Sequence, residues 1–150
     1  MPERIFRKLG LADLQMLINT NTDADSLQTW QIDEESARLF LSDPMNYFFA
    51  CIDDNKIIGY ACGYELNRLD NAGNMLYIHG VGVHENYRRQ GIGKQMITAL
   101  KQLCKLNGIC KMFLDAHKTN TAACALYDST GGYAHRDDNV SYFFNLYTKK

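Results

Sequence analysis

The residue types best suited to binding an anion lie in residues 81–94, which read Val-Gly-Val-His-Glu-Asn-Tyr-Arg-Arg-Gln-Gly-Ile-Gly-Lys. The apolar start is typical of a strand, and Gly91 and Gly93 lie where a helix is predicted to begin. Backbone N–H groups at a helix start have no partners within the helix, and glycines let an anion come close to them. Three side chains add positive charge: Arg88, Arg89 and Lys94. The segment therefore predicts a site for phosphate groups.

Two common nucleotide-binding motifs do not match this segment. A P-loop requires Gly-x-x-x-x-Gly-Lys-Ser/Thr, which the sequence lacks. The dinucleotide fingerprint requires a third glycine, which does not follow Gly91-x-Gly93. Sites for nucleoside triphosphates and for NAD are therefore not expected.

Two motifs, in the expected order, resemble the GNAT superfamily of N-acetyltransferases. Arg88-Arg89-Gln90-Gly91-Ile92-Gly93 is similar to the Arg/Gln-x-x-Gly-x-Gly/Ala signature of that family. Asn120-x-x-Ala123-x-x-Leu126-Tyr127, followed by Gly131-Gly132-Tyr133, is similar to its Asn-x-x-Ala-x-x-Leu-Tyr-x-x-x-Gly-Phe segment, with an extra glycine and with tyrosine for phenylalanine. The order of elements from Glu3 to Tyr147 also resembles the family fold, so the resemblance covers nearly the whole chain.

The resemblance implies acetyl-CoA as the co-substrate and no metal. The pyrophosphate would lie on backbone N–H groups of residues 88–94, and the pantetheine arm would pair with the backbones of Val81 and Val83 like an added strand. Asn120 would hydrogen-bond the arm, although asparagine is also among the best N-cap residues. The implied cofactor-binding residues are Val81, Val83, Arg88, Arg89, Gln90, Gly91, Ile92, Gly93, Lys94, Asn120 and Tyr127.

Tyr127 and His79 are the candidate catalytic residues. The resemblance implies that Tyr127 donates a proton to the leaving thiolate, and packing on a helix is its alternative role. An amine must lose a proton to attack a thioester, and histidine commonly accepts protons near neutral pH. Alternation along a strand places His79 on one face with Tyr77 and Val81. His79 also matches a histidine of the arylalkylamine N-acetyltransferases in this superfamily, while a buried structural histidine is the alternative.

The residues expected to line the acceptor site are Trp30, Asp25 and Tyr77. The resemblance places the loop between the first two helices, residues 19–32, beside the acceptor. This loop carries two aspartates and a tryptophan but no base. An anionic, partly aromatic rim attracts cations, which favours a small cationic amine as the substrate. A solvated loop without a binding role is the alternative.

Several functions stay open beside acetylation of a small cationic amine. Parts of the segments 77–92 and 125–127 are similar to aminoglycoside 3-N-acetyltransferases, although those enzymes carry an acid where this chain has Gly80. Peptide N-termini or lysines are other acceptors, and a non-catalytic acyl-CoA-binding sensor would keep the phosphate site without turnover. A nucleic-acid module is not expected, because the net charge is only −1.

Composition and periodicity indicate one α/β domain over residues 1–150, which is 46% hydrophobic and 22% charged. The resemblance implies a single-domain GNAT fold with a mixed, mostly antiparallel central sheet flanked by helices. Strands are predicted at 3–9, 47–52, 57–66, 75–83 and 111–116, with Tyr133 and 141–147 closing the sheet. Helices are predicted at 11–18, 33–41, 91–107 and 120–128.

The five cysteines are odd in number and lack Cys-x-x-Cys spacing, so we interpret them as reduced core thiols. The apolar run from Phe48 to Ile52 is too short to span a bilayer, and no signal-peptide pattern follows Met1. A cytoplasmic protein without a membrane partner is predicted. Enzymes of this kind are often homodimers, but no feature of the sequence locates an interface.

Overall fold

The computed structural model describes residues 3–21, 31–136 and 138–147. Its strands are β1 (Ile5–Lys8), β2 (Asn46–Asp53), β3 (Lys56–Leu66), β4 (Asn74–Val83) and β5 (Ile109–Phe113). Its helices are α1 (Leu14–Asn19), α2 (Glu34–Ser42), α3 (Ile92–Leu106) and α4 (Thr121–Ser129), with short 3₁₀ turns at Leu11–Asp13 and Glu85–Tyr87.

Within the described residues the strands form one sheet in the order β1-β2-β3-β4-β5. Neighbours are antiparallel from β1 to β4, and β5 pairs with β4 in parallel. The tight β2–β3 turn uses Asp54 and Asn55 at φ 51° and 60°, a left-handed conformation that Asp and Asn tolerate better than most side chains. The predicted mixed, mostly antiparallel sheet flanked by helices is confirmed.

Helices cover both faces of the sheet and produce two buried clusters. On one face, α3 contributes Met96 and Leu100 to a cluster that includes Ile78 of β4. On the other face, α1 and α2 contribute Leu17 and Leu41 to a second cluster, and these helices pack over β2 and β3. Full burial of one such side chain contributes roughly 1.5–3 kcal/mol. The sheet beneath the candidate site is therefore held from both sides.

A β-bulge lies in the middle of β4. Residues 62–63 of β3 pair with Gly80 and Ile78, which leaves His79 as the extra residue of β4. A bulge adds one residue to one strand only, so side chains beyond it point to the opposite face from the one that simple alternation predicts.

The bulge changes the face of the sheet to which the side chains at the end of β4 point. Tyr77 and His79 do share a face, since their ring centroids lie 6.1 Å apart. Val81 instead packs with the α3-side cluster that contains Ile78. The prediction that Tyr77, His79 and Val81 share one face is therefore wrong at Val81, because the inserted residue reverses the alternation.

The C-terminal part also differs from the prediction. The strands expected at Tyr133 and 141–147 are not formed, and residues 132–136 and 138–147 contain neither helix nor strand. In the described sheet β5 is therefore the last strand and has a free outer edge. Alternating apolar residues show that a segment suits a sheet, but a strand forms only against a partner edge.

The cysteines are free thiols, but they are not all in the core. Cys51 and Cys104 are buried, Cys62 and Cys124 are half-buried, and Cys110 is exposed. The interpretation as core thiols is therefore wrong for Cys110. Among the described residues, no helix combines the length and the apolar character needed to cross a bilayer.

Candidate active site

The start of α3 has the geometry of an anion-binding site. Gly91 is the N-cap residue and takes a left-handed φ of +77°, and Arg89 takes a left-handed φ of 63°. The hydrogen-bond ladder of the helix begins where Gln95 N–H donates to the Gly91 carbonyl, at 3.0 Å. The N–H groups of residues 92–94 precede that bond, so they have no acceptor within the helix. Together with the helix dipole, they suit this end of α3 to a phosphate.

The two glycines of this segment have different structural roles. A Cβ added to Gly91 would meet nothing within 4 Å, so what position 91 requires is the positive φ. A Cβ added to Gly93 would lie 3.2 Å from Cδ2 of Leu126 in α4. Gly93 therefore lets α4 pack closely against the first turn of α3. The two motifs that carry the family resemblance are in direct contact through this pair.

Arg88 joins the segment predicted to bind phosphate, residues 88–94, to the end of β4. Its Nε donates to the carbonyl oxygen of Val83 at 3.2 Å. Arg89 and Lys94 are exposed, so their charges can reach an anion on the open side of the helix start. Arg88 thus has a structural contact in addition to its predicted electrostatic role.

Arg4 supports the same segment, although it is not among the residues predicted from the sequence. Its guanidinium donates to the side-chain oxygen of Gln90 and lies 3.6 Å from a carboxylate oxygen of Asp53. It also lies 5.9 Å from the ring centroid of Tyr87. No local pattern signals this role, because 86 positions separate Arg4 from Gln90.

The β4 strand has an open edge where the pantetheine arm is predicted. In the described sheet β5 pairs with β4 only from Asn74 to Tyr77. Just beyond the strand, His84 N–H donates to the Ile58 carbonyl of β3 at 2.7 Å. Backbone groups alternate sides along a strand, so those of residues 81 and 83 face away from β3, toward the open edge. This edge can accept an extended ligand as an added strand.

Asn120 is the N-cap of α4. Its Oδ1 accepts a hydrogen bond from Ala123 N–H at 3.1 Å, which is the capping role considered from the sequence. The cap uses one acceptor site of the oxygen, so the amide N–H groups are the Asn120 donors that can contact a bound cofactor.

Tyr127 lies on the same helix and is half-buried. Burial, with a smaller contribution from Cys124, raises the pKa of the Tyr127 phenol. The hydroxyl is therefore protonated at neutral pH, which is the state required of a proton donor. The chain turns sharply after α4, where Gly132 N–H donates to the Tyr127 carbonyl at 2.9 Å.

Aromatic rings form a continuous surface on the sheet face that carries His79. The His79 ring lies 6.4 Å from that of Tyr64 and 6.1 Å from that of Tyr77, and Tyr77 stacks on Phe113 at 5.1 Å. We call these four residues the aromatic wall. His79 is exposed, so it is not the buried histidine of the alternative interpretation. Of the wall, only Tyr77 and His79 are predicted from the sequence, since Tyr64 and Phe113 join it through strand register.

Two of the predicted acceptor residues, Trp30 and Asp25, lie outside the described residues. The carboxylate of Glu65 is adjacent in sequence to Tyr64 of the aromatic wall, but its hydrogen bonds are made with residues outside the wall. It accepts hydrogen bonds from Tyr47 Oη at 2.9 Å and from Asn74 Nδ2 at 2.8 Å. Glu65 follows Tyr64 in β3 and therefore points to the opposite face of the sheet. Among the side chains of the aromatic wall, the imidazole of His79 is the one suited to accept a proton.

Comparison with known proteins agrees with this geometry. The model of the acetyltransferase (GNAT) family matches residues 11–133. The fold superposes with a TM-score of 0.82 on an aminoglycoside acetyltransferase, meta-AAC0020 from an uncultured soil metagenomic sample, solved in complex with sisomicin. That match has 27% sequence identity and covers 96% of this chain and 97% of the other.

Curated relatives match over shorter segments. The N-alpha-acetyltransferase RimI of Mycobacterium tuberculosis is 29% identical over 92 residues, which are 61% of this chain and 54% of the relative. The [ribosomal protein bS18]-alanine N-acetyltransferase of Escherichia coli is 32% identical over 54 residues, which are 36% of each chain. The matches thus span between about a third and about half of these relatives.

Proposed function

This chain belongs to the acetyltransferase (GNAT) family. We propose that it transfers an acetyl group from acetyl-CoA to a small cationic amine bound on the aromatic wall. The observation that carries the proposal is the exposed imidazole of His79 between the rings of Tyr64 and Tyr77. Aromatic faces attract ammonium groups by about 0.5–2 kcal/mol each. An ammonium group bound on these rings would lie beside His79, which could accept the proton that the amine must lose before it attacks.

A structural relative supports this acceptor class. The aminoglycoside acetyltransferase of similar fold was solved with sisomicin, and aminoglycosides carry several amines that are charged at neutral pH. The N-terminal half of this chain, residues 1–70, holds 12 acids and 6 bases. Its negative charge favours the approach of a polycation over that of an anion.

A peptide N-terminus is the second candidate acceptor. It is favoured by the sequence similarity to two N-alpha-acetyltransferases, one of which is named for a ribosomal-protein alanine. The similarity covers only part of those enzymes, whereas the aminoglycoside acetyltransferase matches over nearly its whole length. The small cationic amine is therefore the better supported acceptor.

The residues present fit acetyl-CoA, which supplies a thioester whose carbonyl carbon the amine attacks. The open edge of β4 orients the arm, and the start of α3 binds the pyrophosphate. His79 accepts the proton that the ammonium loses, directly or through water. As the new N–C bond forms and the C–S bond breaks, Tyr127 donates its proton to the departing sulfur. The second proton that the nitrogen loses on becoming an amide returns to the Tyr127 phenolate through solvent.

The first test measures release of the CoA thiol from acetyl-CoA in the presence of different acceptors. These are aminoglycosides, polyamines, arylalkylamines and peptides with a free N-terminal amine. We expect the highest kcat/KM for a small amine with more than one positive charge. Higher kcat/KM for peptides would replace the proposal by the second candidate. Saturable CoA binding without thiol release on any amine would identify an acyl-CoA sensor instead.

The role of His79 is tested by the pH dependence of kcat/KM. We expect kcat/KM to rise with pH along a limb that disappears in His79→Ala, while His135→Ala, a change at another exposed histidine, keeps it. Comparing two amines of different pKa distinguishes ionisation of the histidine from ionisation of the substrate. A rise in kcat/KM that is due to the amine shifts along the pH axis with the pKa of the amine, whereas a rise due to the histidine does not. A limb that persists unshifted in His79→Ala would exclude His79 as the base.

A further inference from the structure

Arg89 has a backbone conformation that its own residue type does not favour. Its φ of 63° lies in the left-handed region, which most side chains disfavour. Arg89 is also exposed, so little burial of its side chain offsets the cost. Residues in such conformations persist only where the surrounding structure holds them, and they are frequent at ligand-binding sites. The contacts around Arg89 must therefore stabilise its conformation.

Arg4 contacts the chain on both sides of Arg89. Its guanidinium donates to Oε1 of Gln90, the residue that follows Arg89. The same guanidinium lies 5.9 Å from the ring centroid of Tyr87, two residues before Arg89. Because one group contacts both neighbours, it restricts the path of the backbone between them.

Arg4 is itself anchored to the sheet. It precedes Ile5, which pairs with Ile52 of β2. Continuing this antiparallel register places Arg4 opposite Asp53. Arg4 Nε lies 3.6 Å from a carboxylate oxygen of Asp53, and the two side chains are only 28% and 16% exposed. Arg4 thus connects residues 87–90 to the start of β1 and the end of β2.

We propose that Arg4 is a positioning residue for acetyl-CoA binding, which holds Arg89 in the left-handed conformation before the cofactor binds. This role rests on the proposed binding of the pyrophosphate at the start of α3. Without the Arg4 contacts, the penalty of the left-handed backbone is unopposed, and only a minor fraction of molecules keeps the binding conformation. The apparent dissociation constant of CoA should then rise by about 5–30-fold, in inverse proportion to that fraction.

The first experiment measures the CoA affinity of the full-length protein by calorimetry in two matched backgrounds. Arg89→Asn and Arg89→Ala both remove the charge at position 89, but asparagine tolerates the left-handed region better than alanine. Arg4→Met should weaken CoA binding by about 5–30-fold in the wild type and in Arg89→Ala, and by about 3-fold or less in Arg89→Asn. Arg7→Met, at an arginine of β1 that pairs with Asp13 instead, should leave CoA affinity unchanged.

Equal losses of affinity on Arg4→Met in the two backgrounds would overturn the proposal. A loss that arises from the charge of Arg4, or from the Asp53 carboxylate left unpaired, does not depend on the backbone preference of residue 89 and would give this result. Undiminished affinity on Arg4→Met in the wild type would overturn the proposal as well.

A second measurement needs no cofactor. Backbone NMR chemical shifts of the CoA-free protein report the conformation of residue 89. They should indicate a left-handed residue in the wild type and in Arg7→Met, but not in Arg4→Met, and the shifts of β2 and β3 verify that Arg4→Met is folded. A left-handed Arg89 in Arg4→Met would overturn the proposal. Absence of CoA binding by the wild type would instead contradict the proposed function, and the shifts would still decide whether Arg4 positions Arg89.

Discussion

Replacement of Gly91 tests whether the left-handed backbone at the start of α3 creates the phosphate site. A Cβ at position 91 meets no atom within 4 Å, and φ there is +77°. Gly91→Ala therefore adds no collision and its penalty is conformational, about 1–2 kcal/mol for an L-residue in this region. Gly91→Asn is the matched control, because asparagine is larger than alanine but tolerates the left-handed region better.

The expected result for Gly91→Ala depends on whether the helix start keeps its conformation. If it does, the free energy of unfolding falls by about 1–2 kcal/mol, which lowers Tm by about 2–8 °C for a chain of this size. If it relaxes, the same penalty appears as CoA affinity weakened by about 5–30-fold. Urea unfolding measures the loss in the free energy of unfolding, and calorimetric titration measures the loss in CoA binding free energy. The sum of these two losses should be smaller for Gly91→Asn than for Gly91→Ala.

Arg89→Ala separates charge from conformation at the same site. Alanine keeps an L-residue at the left-handed φ of 63° and removes the guanidinium together with the methylenes that carry it. We therefore expect CoA binding to tolerate Arg89→Ala better than a bulky change such as Gly91→Val. Equal penalties for alanine and asparagine at position 91, or a Gly91→Val variant in which both CoA affinity and the free energy of unfolding are undiminished, would refute the backbone explanation.

Three further changes have defined outcomes. Tyr127→Phe should lower kcat by roughly 10- to 10⁴-fold with little change in CoA affinity, since the ring stays and only the proton donor is lost; unchanged kcat would leave Tyr127 a packing role. Asn120→Ala should destabilise the protein by about 0.5–2 kcal/mol, whereas Asn120→Asp keeps the cap and should weaken only CoA binding, if the amide N–H groups contact the arm. The hydrogen bonds from Arg7 lower the pKa of Asp13 below 3.8. The stabilisation of the folded protein by the Arg7–Asp13 pair is therefore fully present above about pH 5 and is lost as the pH falls through the lowered pKa. The decrease in the free energy of unfolding caused by Asp13→Asn, measured by urea unfolding, should therefore be smaller in acid and unchanged in base.

The half of the candidate site that is proposed to bind phosphate is largely predictable from the sequence. The start of α3, the N-cap at Asn120 and the glycines at 91 and 93 depend on residues within one or two helical turns. Capping, helix periodicity and positive φ are local properties, so neighbouring residues suffice to indicate them. The role of Gly93 is the exception, because the Leu126 side chain that it accommodates comes from another helix.

The acceptor half depends on pairings between distant segments. Tyr64 and Phe113 join the aromatic wall only because β3 and β5 flank β4 in a particular register. The bulge at His79 exists because β3 has one residue fewer than β4 at that point. Neither strand alone contains that information, since register is a property of the pair.

The sequence by itself determined the family resemblance, the order of most elements and the helix start suited to a phosphate, because each follows from short-range patterns. Only the tertiary structure decided that Val81 faces α3, that Arg4 reaches Gln90, and that residues 141–147 form no strand within their own chain. The last case shows the physical reason most clearly. A segment with alternating apolar residues has a propensity for strand structure. It becomes a strand only when its backbone forms hydrogen bonds with the edge of another strand.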